Sequence, residues 1–348
     1  MRFFKIRVYM IKKVFRQAAR KTKSMLACSK AFTSIIRCLP SWAVNLKKIV
    51  RVELEVSSAC NLSCSFCPVG NKKVPPGLMD LVTHNKIIDL LPKTIRLISY
   101  SYRGDVTLNP DFPKMIKYAH EKGFETFIST NGMLIDKYID ELVKSGLDKI
   151  YFTIDGATQD LQGKYRVGSD LEKIKSNIRL LVDARKHSLS KYPKEIAVQS
   201  VVSRYSEKRI PDLVKLAEDL GVDKIIFKTL AVNVGGAYIK GKDFHENLFP
   251  ENVKYRRKTN LLLCPFIEAC AILHNGDISV CCTDYAAKYI LGNIIRENSF
   301  ENIIYGKKNR GLRKSVLLRT LGICADCPIT GDLWIPEISR VFPQKKSK

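Results

Sequence analysis

The sequence predicts an α/β protein: a partial (βα)6 TIM-like barrel followed by a small, cysteine-rich C-terminal domain. Three observations carry that expectation. Apolar, β-branched runs alternate with longer helical patterns from residue 52 onward. Glycine closes several of the helical patterns. The cysteines beyond residue 260 form a group of their own, apart from the alternation.

The first strand is VELEV (52–56). It is followed by TIRLISY (94–100), FETFIST (124–130), KIYFTID (149–155), EIAVQSVVS (195–203) and KIIFK (224–228). Helical patterns fall near 83–91, 111–122, 136–145, 170–187 and 207–220. EKGFE, KSGLDK and DLGVDK each read as a helix that stops at glycine and turns into the next strand. Strand, helix and strand in repetition mean a parallel sheet with right-handed crossovers. Six such units fit an incomplete barrel, with an open doubly wound sheet as the alternative. The chain then divides into a basic arm (1–50), the barrel (51–230), a linker (231–260), the cysteine-rich domain (261–335) and a basic tail (336–348).

Composition bounds the function. The 348 residues are 45% hydrophobic and 27% charged, enough for a core and unlike a disordered chain. The net charge is +25, and residues 1–52 hold 14 Lys and Arg with no acid before Glu53. Phe4, Val8, Ile11, Phe15 and Ala18 fall on one helical face of this arm. Such a basic amphipathic helix suits an anionic membrane surface, while a helix packed on the barrel and an organelle transit peptide also fit. No aromatic-interleaved basic motif points to nucleic acid. The sequence shows no secretory signal and no apolar run near the ~20 residues of a membrane span. The expected location is the cytoplasm, with the arm as the candidate for peripheral membrane attachment.

Cys60, Cys64 and Cys67 lie within "SSACNLSCSFCPVG", spaced C-x3-C-x2-C, with no fourth cysteine nearby. That spacing is too tight for ordinary disulfides and suits a metal. A structural zinc wants four ligands. A four-iron cluster held by three cysteines leaves one iron open to an exogenous ligand. In a βα-barrel, chemistry sits on the loops after the strands. The three-cysteine loop follows the first strand, and YRGDVTLNP, STNGM and DGATQD follow the next three.

"CNLSCSFC" at the end of a first barrel strand resembles the motif of the radical S-adenosylmethionine (SAM) superfamily, including the aromatic Phe66 before the third cysteine. The resemblance implies that Cys60, Cys64 and Cys67 hold three irons of a [4Fe–4S] cluster whose fourth iron chelates SAM. Reductive cleavage would then give a 5′-deoxyadenosyl radical that abstracts hydrogen from a substrate. It further implies that Gly104 and Asp105 stand where the family has Gly-Glu-Pro near the SAM amino group. Here Asp is shorter than Glu and the Pro is replaced by Val106. Ser129, Thr130 and Asn131 resemble the third-strand segment near the SAM ribose and methionine. Asp155 resembles the fourth-strand end, and Arg166 is placed to pair with the SAM carboxylate.

The later cysteines resemble a SPASM or "twitch" extension. Cys264, Cys281, Cys324 and Cys327 are the expected ligands of one auxiliary [4Fe–4S] cluster, with a zinc ribbon as the alternative. Cys282 competes with its neighbour Cys281, although the spacing from Gly276 favours Cys281. Cys270 reads as a strand residue facing the core. An auxiliary cluster of this kind suits oxidation or dehydrogenation of a substrate radical. The substrate class left open is anionic: a phosphorylated sugar, a lipid or a peptide. The electron donor expected is a flavodoxin or ferredoxin. The alternatives are a non-enzymatic iron–sulfur or zinc scaffold, and a peptide-modifying maturase.

Overall fold

The structure is a computed structural model, and it describes residues 33–34, 36–40, 48–64, 67–70, 74–229, 250–252, 263–264, 266–325, 327 and 338–343. The amphipathic face from Phe4 to Ala18, Phe66, and most of the linker and basic tail lie outside the described residues.

Six parallel strands form the barrel. They are β1 (Arg51–Leu54), β2 (Leu97–Ser99), β3 (Glu125–Thr130), β4 (Lys149–Thr153), β5 (Glu195–Val202) and β6 (Lys224–Thr229). They lie side by side in sequence order. A doubly wound sheet would reverse direction beside its first strand, so this order selects the barrel. The crossovers carry α1 (Leu81–Leu90), α2 (Phe112–Glu121), α3 (Ile139–Leu142), α4 (Gln159–Tyr165), α5 (Leu171–His187) and α6 (Ile210–Asp219). Asp80 caps α1, its carboxylate accepting from the Thr83 N–H at 2.8 Å. Gly221, after α6, takes φ 73° as its place beyond a helix end requires.

The alternation of the strands decides which face meets the helices. Val52, Leu54, Ile98, Ile150, Phe152 and Phe227 are buried in the main core. The opposite face, lining the barrel, starts from a separate small cluster of Tyr151, Ala197 and Ile226 with Phe127 against it.

Two features differ from the sequence reading. The loop expected at DGATQD leads directly into α4, which is capped by Thr158 and hidden from the sequence reading by Gly163 within it. The cysteine-rich segment also continues the barrel sheet. Strand β7 (Ala269–Ile272) pairs in parallel with β1, and β8 (Asp277–Ser279) and β9 (Ile290–Asn293) follow antiparallel. Beyond them come α7 (Ile294–Glu297), α8 (Phe300–Tyr305), α9 (Arg310–Leu317) and α10 (Gly322–Ala325). A last strand, β10 (Arg340–Val341), pairs antiparallel with β6 and completes a 10-stranded sheet. Cys270 faces the main core and is 1% exposed.

Candidate active site

The three-cysteine loop leaves β1 at the C-terminal end of the barrel strands. A backbone turn closes it, the Cys67 N–H donating to the Cys64 carbonyl at 3.1 Å. The Leu62 N–H points at Cys60 Sγ at 3.5 Å, and Asn131 Nδ2 lies 3.9 Å from the same sulfur. Burial pushes the Cys60 thiol up to about 12. Burial also raises the Cys64 thiol, while the Arg166 guanidinium draws it back. Left bare, these sulfurs hold their protons; a bound cation is what would make them thiolates. Neighbouring thiols on one half-buried loop are a donor set that fits an iron–sulfur cluster.

Gly104 packs the second-strand loop against this one. With φ 67°, it sits where a Cβ would run into the carbonyl oxygens of Ser57 and Ala59. The next residue, Asp105, donates its N–H to the Ala59 carbonyl at 2.8 Å. The Asp105 carboxylate is buried and already bonded. It accepts from Thr107 N (3.0 Å), Thr107 Oγ1 (2.6 Å), Thr130 Oγ1 (3.0 Å) and Asn131 N (2.8 Å). Its geometry is that of a brace between the ends of β2 and β3. Asn131 in turn donates to Asn61 Oδ1 at 2.8 Å, fastening the cysteine loop to β3. Ser129, at the end of β3 and facing into the barrel, accepts from Gln199 Nε2.

Asp155 and Arg166 meet at the same rim. Arg166 Nε donates to Asp155 Oδ2 at 2.7 Å, and Asp155 Oδ1 accepts from the Val201 N–H at 2.7 Å. Burial works against the Arg166 charge, but Asp155 and the Cys64 sulfur nearby raise its pKa on balance. Arg166 thus stands between a carboxylate and a cysteine of the loop.

The second cysteine group gathers around the end of β8. Cys281, Cys327 and Cys324 lie near enough to Cys264 to act on it electrostatically, and burial pushes its thiol up to about 12. Burial raises Cys324 to about 11. Of the adjacent pair, Cys282 keeps the proton and donates toward Cys281, which is thereby held low. Cys282 has Glu53 and Arg51 of β1 as neighbours. Tyr285 is close to Glu53, Cys282, Cys67 and Cys281, so it stands between the two cysteine groups.

Sequence reasoning missed the joint behind these groups. Glu55, 1% exposed, accepts from both Arg103 Nε and Arg103 Nη2, and His274 Nδ1 lies 2.7 Å from it. Arg103 Nη1 also donates to the Tyr285 carbonyl at 2.9 Å. The signal was present: VELEV carries acids two residues apart in an otherwise apolar strand, both on the barrel-lining face. A cleft of about 400 Å³ near His120, Phe124 and Asp148 opens at the opposite ends of β3 and β4, away from the cysteines.

Two family profiles match the chain. The radical SAM superfamily matches residues 54–193, and an iron–sulfur cluster-binding domain of the SPASM type matches residues 264–328. The chain carries a radical SAM domain followed by a SPASM-type iron–sulfur domain. The radical SAM and SPASM domains bring with them SAM, its [4Fe–4S] cluster and further iron–sulfur binding. A Pyrococcus furiosus protein, the tungsten-containing aldehyde ferredoxin oxidoreductase cofactor-modifying protein, is 32% identical over 184 residues. That match covers 51% of this chain and 50% of the relative. The chain spans about half the length of the curated relatives it matches. Among solved structures, Streptococcus suis SuiB bound to precursor peptide SuiA aligns at TM-score 0.60 and 16% identity. The alignment covers 90% of this chain and 74% of SuiB. The AdoMet-bound anSMEcpe structure aligns at TM-score 0.56 and 17% identity, covering 75% of this chain and 82% of that one. Both are likenesses of fold. Among the described residues, no helix is long and apolar enough to cross a membrane.

Proposed function

We propose that this radical SAM protein is an enzyme that modifies a peptide substrate by hydrogen abstraction and oxidation. The observation that carries the reading is the rim itself, where the three-cysteine loop, Asp105, Asn131, Asp155 and Arg166 are tied together. Cys60, Cys64 and Cys67 would hold the SAM-binding [4Fe–4S] cluster. When bound, that cluster and SAM supply a 5′-deoxyadenosyl radical for hydrogen abstraction. The chain's own part is positional. Asp105 fixes the loops, Arg166 presents a guanidinium fork suited to a carboxylate, and the apolar cluster around Tyr151 closes the barrel below.

Cys264, Cys281, Cys324 and Cys327 would hold the auxiliary cluster, with Cys281 preferred to Cys282 because it lies among the other three. A cluster with four protein ligands has no open iron, so its role is to accept or pass an electron. The peptide reading draws on the likeness to SuiB, which was solved with its precursor peptide. It narrows the anionic class expected from the sequence.

Anaerobic incubation with reductant and SAM tests the proposal. The intact protein should release 5′-deoxyadenosine slowly, and Cys64→Ala should abolish it. Cys324→Ala should leave that uncoupled cleavage measurable while stopping substrate turnover. A Cys64→Ala protein that still makes 5′-deoxyadenosine would refute the assignment.

A further inference from the structure

The loop between β8 and β9 carries Cys281 and Cys282, and it is folded on one side chain. The Asp284 carboxylate, fully buried, accepts from Ser279 Oγ (3.0 Å), Lys288 N (3.0 Å) and Tyr289 N (2.8 Å). The Asp284 N–H donates to the Cys281 carbonyl at 3.3 Å, so the cysteine belongs to the same turn. Two consecutive carbonyls of this loop are taken by two consecutive side chains from the loop after β2. The Tyr102 hydroxyl donates to the Asp284 carbonyl at 2.7 Å, and Arg103 Nη1 donates to the Tyr285 carbonyl at 2.9 Å. The Tyr102 and Tyr285 rings stack, with centroids 5.0 Å apart and planes 11° from parallel.

The grip is held from behind. Arg103 Nε and Nη2 are both committed to Glu55, and His274 Nδ1 lies 2.7 Å from the same carboxylate. Arg103 Nη1 is thus aimed by a planar fork already fixed along its other edge. Directly after Tyr102 and Arg103 come Gly104, pressed on the Ser57 and Ala59 carbonyls, and Asp105, whose N–H holds the Ala59 carbonyl beside Cys60. The path from Cys281 to Cys60 therefore runs through hydrogen bonds and packed backbone. Contiguous contacts of this kind are what carry energetic coupling between sites.

We propose that Tyr102 and Arg103 couple the two cofactor sites, so that filling the auxiliary cysteines tightens SAM binding at the three-cysteine loop. They act as positioning residues, through two backbone carbonyls on one side and through Gly104 and Asp105 on the other. The inference rests on the assignment above of Cys281 to the auxiliary cluster. A ligand held on Cys281 fixes the turn on which Tyr102 and Arg103 close. Coupling between two binding sites is reciprocal and typically amounts to about 5–150-fold in affinity.

Equilibrium binding of SAM to the reconstituted, unreduced full chain tests this, with iron counted on every sample. The double variant Cys324→Ala, Cys327→Ala removes two auxiliary ligands and leaves the β8–β9 loop intact. It should weaken SAM binding by roughly tenfold. An Arg103→Met protein should bind SAM more weakly at the outset, and adding the cysteine changes to it should cost less than about twofold more. An arginine with a merely structural role would let the two losses multiply. Tyr102→Phe keeps the ring stack and removes one hydrogen bond. It should bring the tenfold ratio down to roughly threefold, and it decides the matter should Arg103→Met fail to fold. Undiminished SAM binding by a cysteine variant that has lost about four irons would overturn the coupling and leave the two-cluster assignment standing. A cysteine variant that keeps about eight irons would overturn that assignment, and the coupling with it. A ratio unchanged by Tyr102→Phe, or losses that multiply in Arg103→Met, would overturn the path through these residues.

Discussion

Arg166 Nε and Asp155 Oδ2 lie 2.7 Å apart at the C-terminal rim of the barrel, with side-chain exposures of 17% and 3%. One partner reaches back to β5 through Val201, and the other faces Cys64. The pair therefore links the fourth- and fifth-strand ends to the cysteine loop.

Breaking this pair from one side should cost more than removing it. Asp155→Ala leaves a buried guanidinium uncompensated, a loss of about 3–5 kcal/mol. The double variant Arg166→Met, Asp155→Leu should recover much of that. Urea unfolding of the three proteins checks the prediction, and equal losses in the single and double variants would contradict it.

Iron content should follow the two cysteine groups. The reconstituted protein should hold about eight irons as two four-iron clusters. With Cys60, Cys64 and Cys67 all changed to Ala, about four should remain. Metal analysis with electron paramagnetic resonance reads this. Near-zero iron in the triple variant, or zinc in its place, would count against two independent sites.

Asp105 should act on SAM through the loops it braces. Asp105→Ala should weaken SAM binding by roughly ten- to a hundredfold. Thr130→Val removes one donor to the brace and should reproduce part of that loss. Equilibrium binding of SAM to the unreduced protein is the measurement. A silent Thr130→Val beside a damaged Asp105→Ala would mean that Asp105 touches SAM directly.

His84 gives the fold a pH dependence with a definite sign. Its ring is fully buried, Nε2 lies 3.0 Å from the Tyr100 hydroxyl, and burial lowers its pKa from 6.5 to about 4. Between those values the unfolded chain binds the proton and the folded chain does not. Stability from this group is complete above pH 6.5 and is lost as pH falls toward about 4. The full loss is roughly 3 kcal/mol. Thermal melts across this window should show a shallower slope for His84→Gln than for the wild type.

The barrel was legible because periodicity carries it. Each of the six strands falls on a run that the sequence marks, and α2 and α5 lie within a residue of their expected limits. The helix α4 was not legible, because Gly163 and the polar residues around it give no apolar stripe. The cysteine loop announced itself by spacing. Glu55, Arg103 and His274 did not, since they meet only when β1 pairs with β2 on one side and with β7 on the other, the latter joining Glu55 to His274 across 219 residues of sequence. Asp105 was found by position, but its bonds to Thr107 and Thr130 depend on how three strand ends converge.

The pairing of β1 with β7 also bears on modularity. A gene fragment encoding only residues 264–328 would present β7, Ala269 to Ile272, as a bare apolar edge where β1 now lies. Such an edge invites pairing with another chain. The two halves that look interchangeable in sequence are therefore poor candidates for recombination with other barrels. An exchanged auxiliary half would have to arrive with a strand whose register and inward residues already suit Arg51 to Leu54.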